Sequence, residues 1–77
     1  MRLTLSEFVT VEQLPTAPGR KTAIWDVLGR STRLGEIRWF SRWRCYALFP
    51  PPGTLFNSDC LNVLAQFCAR ATKEHRA

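Results

Sequence analysis

The sequence predicts an α+β fold: a three-stranded antiparallel sheet packed by one C-terminal helix, in the order β-β-β-α. Three observations carry this. Two runs rich in β-branched and aromatic residues are separated by a glycine-containing turn, Gly29-Arg30-Ser31-Thr32, and a third follows after Ser41-Arg42. Pro50-Pro51-Pro52-Gly53 then ends the sheet, because proline cannot donate to a ladder. Beyond it, apolar residues recur at helical spacing to the C-terminal end.

Residues 1–19 read as an N-terminal segment and linker. The alternation over Phe8 to Val11 suits a strand, whereas Ser6 equally suits the cap of a short helix, so an extra strand or a short helix both stand. Pro15-Thr16-Ala17-Pro18-Gly19 is a break. The domain proper is expected over 20–74, with 75–77 as a frayed tail holding the only histidine, His75. Its strands are placed at Thr22–Leu28, Leu34–Phe40 and Trp43–Phe49.

The second hairpin admits two registers. A two-residue loop, Ser41-Arg42, pairs Phe40 with Trp43 and mixes charged and apolar groups on both faces. Pairing Trp39 with Trp43 gathers Ile37, Trp39, Trp43, Cys45, Ala47 and Phe49 on one face. The other face then carries Glu36, Arg38, Phe40, Arg44, Tyr46 and Leu48. A one-residue slip exchanges every side chain, so the segregated register is preferred, although its three-residue loop lacks glycine.

Asn57 or Ser58 caps the helix, with Asp59 in its first turn. Leu61, Leu64, Cys68 and Ala71, widened by Cys60 and Phe67, form the stripe expected to cover the sheet.

Charge is the sharpest functional signal. Residues 20–44 hold seven basic side chains against Asp26 and Glu36, which is the whole net charge of +5. Outside it, Arg2, Arg70, Lys73 and Arg76 balance Glu7, Glu12, Asp59 and Glu74. The basic segment also contains all three tryptophans. Arginine among aromatics suits nucleic acid or an acidic protein or ribonucleoprotein surface. Nine arginines against two lysines favour planar anion recognition. The expected binding residues are Arg30, Arg33, Arg38, Phe40, Arg42, Trp43, Arg44 and Tyr46. In the preferred register Arg38 lies opposite Arg44, which an anion would relieve, and Phe40 and Tyr46 could stack on bases. The bland alternative buries Tyr46, Phe40 and Leu48 under residues 1–14 and leaves the arginines as a solvated rim. Asp26 and Glu36 read as partners of neighbouring arginines rather than a catalytic pair.

No nucleophile–base arrangement or phosphate loop is recognisable, so no enzyme is expected. Cys45, Cys60 and Cys68 lack paired spacing, and Cys60 and Cys68 lie about 12 Å apart along a helix. Neither a disulfide framework, a metal nor another cofactor is expected. No apolar run is long enough for a transmembrane helix, and Glu7 and Glu12 interrupt any signal-peptide core. A cytoplasmic protein is expected, monomeric or homodimeric, without membrane contact.

The residues W-D-V (25–27), L-G-E-I-R-W-F (34–40), W-R-C-Y (43–46), Pro50 and F-N-S-D-C-L (56–61) cover about half the chain. They resemble a pattern in short uncharacterised bacterial and phage-borne proteins. That resemblance implies a mobile-element origin, where small proteins serve as DNA-binding accessories or as inhibitors of host defence, including anti-CRISPR proteins. It supplies no activity and no site residues. In topology alone the expected fold is similar to the sheet-reading DNA-binding domains of some integrases and plant factors.

Overall fold

The computed structural model describes residues 2–15, 18–19, 21–30 and 32–76, with Arg76 by its backbone alone. Arg20 of the basic segment, Thr16 and Ala17 of the break, Ser31 of the first turn and Ala77 lie outside the described residues. Five strands and a helix follow in order: β1 (Arg2–Thr4), β2 (Thr10–Gln13), β3 (Trp25–Leu28), β4 (Arg33–Phe40), β5 (Cys45–Phe49) and α1 (Ser58–Arg76). The sheet is an antiparallel meander, β1-β2-β3-β4-β5, so the α+β class holds but the sheet has five strands rather than three.

The two additional strands come from the N-terminal segment. Ser6 serves a turn rather than a helix cap. Its Oγ accepts the Phe8 N–H at 3.3 Å, and the Leu5 and Ser6 N–H groups both donate to the Val9 carbonyl. This reversal sets Leu3 opposite Val11, and Val11 opposite Val27. The five-stranded result departs from the three-stranded plan on which the likeness to integrase and plant DNA-binding domains rested.

Side chains alternate across the sheet. On one face Val11, Val27 and Ile37 are fully buried and, with Val9, Tyr46, Leu64 and Phe67, form the core. Burying each such aliphatic side chain is worth about 1.5–3 kcal/mol. Gly35 lies opposite Val27 beside an irregularity that makes Leu34 an extra residue in β4. Its φ is 145°, and a Cβ there would stand 2.9 Å from the Phe49 carbonyl oxygen, so this crossing requires glycine.

Neither expected register for the second hairpin occurs. Phe40 pairs with Cys45 across a four-residue loop, 41–44. The Trp43 N–H donates to the Phe40 carbonyl and the Arg44 N–H to the Ser41 carbonyl, both at 3.2 Å. Arg44 then takes the left-handed position that glycine usually fills, with φ 54°. The strain, about 1–2 kcal/mol, is offset by a cleaner segregation: Ile37, Trp39, Tyr46 and Leu48 all face the helix.

Asn57 caps α1, its Oδ1 accepting the Cys60 N–H at 2.9 Å. Cys60, Val63, Leu64, Phe67, Cys68 and Ala71 pack on the sheet, whereas Leu61, expected in that stripe, is 52% exposed. His75 lies within α1, its ring 4.5 Å from that of Trp39. Near this end Thr72 Oγ1 donates to the Cys68 carbonyl at 2.7 Å and accepts the Tyr46 N–H at 2.9 Å. Thr72 thus ties the helix to β5, an outer strand of the sheet.

Replacing Thr72 by valine keeps the shape and leaves the Tyr46 N–H without its acceptor. A loss of about 1–3 kcal/mol is expected by urea denaturation. Thr72→Ser should retain most of the stability. An unchanged midpoint in Thr72→Val would show that this bond does not hold the helix to the edge.

Candidate functional site

The face turned away from α1 carries the charges. Register places Glu12 opposite Asp26, and Asp26 opposite Glu36, three carboxylates side by side on adjacent strands. Like charges so placed repel unless relieved. Three arginines relieve them. Arg2 Nη2 stands 2.8 Å from Glu12 Oε2. Arg33 bridges Asp26 Oδ1 at 2.9 Å and Glu36 Oε2 at 3.3 Å, and Arg38 Nε reaches Glu36 Oε1 at 3.0 Å. The hydrogen bond from Arg2 and its charge hold the Glu12 carboxyl below its ordinary range. These six side chains have no net charge. The row therefore inverts the expected opposition of Arg38 and Arg44: Arg38 lies opposite Ala47, and it is the acids that are aligned.

The eight expected binding residues fall into four places. Tyr46 is on the helix-facing side, 7% exposed, with its hydroxyl accepting the Ala23 N–H at 3.2 Å. It cannot stack on a ligand from there, because the observed register differs from the preferred one by three residues, an odd number that turns Tyr46 to the core side. Arg30 lies in the β3–β4 turn, its guanidinium 4.3 Å above the Phe8 ring and 3.9 Å from Glu7. Arg33 and Arg38 are on the charged face, the latter 4.0 Å above the Phe49 ring. Phe40, Arg42, Trp43 and Arg44 gather at the β4–β5 tip, about 25 Å from the β3–β4 turn along an eight-residue strand.

The tip is the one place where the expected aromatic and basic groups remain together and accessible. Trp43 is 68% exposed, and Arg42 and Arg44 are exposed on either side of it in sequence. Phe40 meets the Trp43 ring edge-on at 4.8 Å and Phe49 at 6.1 Å. A hollow of about 140 Å³ beside them is lined by Phe40, Trp43, Ala47, Leu48 and Phe49. Arg42 has no ion pair among the described residues. Phe49 was not among the expected binding residues. The preferred register placed it on the face opposite Phe40, whereas the observed register puts both on one face.

Among the described residues no three of His, Cys, Asp and Glu converge as a metal site, and no helix is long and apolar enough to cross a membrane. The three cysteines are free thiols. Burial pushes the Cys68 thiol up to about 11, with the nearby Cys45 adding to the shift, so it is held protonated at neutral pH. The chain matches no protein-family model, no curated protein and no solved structure.

The Cys68 shift has a stability consequence of defined sign. Between its ordinary value of 9.0 and about 11, the folded state keeps a proton that the unfolded state releases. Stability from this group is intact below that window and falls as pH rises through it. Thermal unfolding from pH 8 to 11 should show a steeper decline in the native chain than in Cys68→Ala. Identical slopes would contradict the assignment.

Proposed function

We propose that the chain is a non-enzymatic, cytoplasmic binding module that contacts single-stranded nucleic acid through the β4–β5 tip. The observation that carries this reading is the exposed Trp43 between Arg42 and Arg44. A base can stack on the open Trp43 ring, whose orientation the Phe40 edge supports. Arg42 and Arg44 then reach the flanking phosphates, where planar guanidinium groups make paired hydrogen bonds. The contact is drawn at the tip rather than on the charged sheet face, because Arg33 and Arg38 there are engaged by Asp26 and Glu36. A single strand is favoured over a duplex because stacking needs an open base face. Arg30 lies too far along β4 to share one nucleotide with Trp43 and would touch a longer strand only.

A second reading draws support from the neutral sheet face and the apolar hollow. The same tip would anchor a mobile-element-encoded inhibitor on an acidic protein surface of a host nucleic-acid-handling or defence complex. Tryptophan and arginine beside a small pocket are common interface anchors.

Fluorescence anisotropy with labelled single- and double-stranded DNA and RNA at several salt concentrations separates the two. The nucleic-acid reading expects tighter binding to single strands and affinity that falls steeply with salt. Trp43→Ala should weaken binding by about 1–3 kcal/mol. Arg42→Ala should lower the salt slope by about one. Absent or salt-insensitive binding at low ionic strength would sink this reading. A Trp43-dependent complex recovered from host lysate would then favour the inhibitor.

A further inference from the structure

The helix sits toward one side of the sheet. Thr72 bonds to β5, and Phe67 meets Trp25 of β3 edge-on at 5.1 Å. A helix about 10 Å across cannot cover the roughly 19 Å between the outer strands of a five-stranded sheet. Between α1 and the β1–β2 side of the sheet lies a groove of about 370 Å³. Leu3, Trp25, Phe67 and Ala71 give it an apolar floor. Gln13, Arg70 and Glu74 form its rim, and neither Arg70 nor Glu74 has an ion pair among the described residues.

The groove adjoins an open edge. β1 pairs with β2 on one side and is the outermost strand on the other. Its middle residue, Leu3, is also part of the groove floor. We propose that the β1 edge and this groove form one docking site for an extended peptide segment of an acidic partner. The segment would add to β1 as a sixth strand. Its backbone would pair with β1, and alternate side chains would point over the groove. One large apolar side chain would lie over Leu3 and enter the near side of the groove, toward Trp25 and Phe67. An acidic side chain two positions along, on the same face, would meet Arg70. Charge complementarity favours an acid there, since Arg70 on the rim has no ion pair among the described residues. Glu74, one turn further along the helix, limits the run of acids by repulsion. This site lies on the helix-bearing side of the sheet and does not depend on the Trp43 tip.

The test is selection from a phage library of random peptides against the intact chain. NMR mapping and affinity measurement with the enriched peptides follow. Enriched peptides should carry an apolar residue and an acid at alternate positions. They should shift the resonances of Leu3, Trp25 and Phe67, and bind Trp43→Ala unchanged. Arg70→Glu, an exposed substitution, should weaken them at least about tenfold and should not weaken a matched peptide with lysine in place of the acid. Backbone N-methylation of the peptide should abolish binding by removing the strand pairing. No enrichment would overturn the proposal. So would binding that survives both Arg70→Glu and N-methylation, or shifts centred on Trp43. Concentration-dependent dimerisation that protects the same groove without peptide would also overturn it, in favour of a second copy of this chain.

Discussion

Arg44 adopts the left-handed conformation at the end of the β4–β5 loop, and the pairing of Phe40 with Cys45 goes with it. Much of the molecule depends on that one backbone choice. With side chains alternating at every residue, this register sends Tyr46 and Leu48 toward the helix and Cys45, Ala47 and Phe49 away from it. Tyr46 then closes the core against Trp39, their rings edge-to-face at 5.4 Å. Its hydroxyl accepts the N–H of Ala23 and its N–H finds Thr72, so one residue links the segment before β3, strand β5 and α1. A slip by one would place a phenol and an aliphatic side chain in water and turn Cys45 and Phe49 inward without those bonds.

The same alternation explains the electrostatics. Glu12, Asp26 and Glu36 come from three strands far apart in sequence, yet each occupies the matching outward position. Aligned carboxylates would oppose the sheet were Arg2, Arg33 and Arg38 absent. Exposed ion pairs contribute little net stability singly, but here their role is to cancel a repulsion created by register. That use of arginine changes what the net positive charge means. A count along the chain assigns the excess to residues 20–44 without separating strand from loop. The folded arrangement leaves the strands neutral and puts Arg42 and Arg44 at the tip.

Legibility in the sequence tracks the length of the pattern. The nineteen-residue helix was readable because its apolar spacing persists through five turns, and Asn57 announced its start. Leu61 was misassigned, since the packed stripe passes through Cys60 and Leu64 and leaves Leu61 beside it, and His75, expected in a frayed tail, lies within α1. β3, β4 and β5 were found with shifted starts. β1 and β2 hold three and four residues, too few for alternation to outweigh the capping signal at Ser6. The hairpin register was not legible, because no glycine marks the left-handed position that Arg44 fills. Of the expected binding residues, the tip group was readable from its place beside a turn. Tyr46 was lost with the register. Asp26 and Glu36 pair with neighbouring arginines as expected, and only Glu12, which completes the row of acids, needed the N-terminal strands.

The two outer strands are treated differently, and this difference bears on what the fold can bind. At β5 the helix approaches, and Thr72 occupies the Tyr46 N–H. At β1 no strand among the described residues pairs on the outer side. A free edge invites unwanted pairing, and short length and charge are the usual protections. β1 has both: three residues, with the exposed Arg2 on its outward face. Three residues provide too little backbone pairing for a passing strand to be held by main-chain bonds alone. A segment that stays must gain the rest from side chains, and the groove floored by Leu3, Trp25 and Phe67 offers apolar surface beside that edge. The brevity of β1 thus makes selectivity at this edge a property of the groove and of the charge at Arg70, rather than of the strand itself.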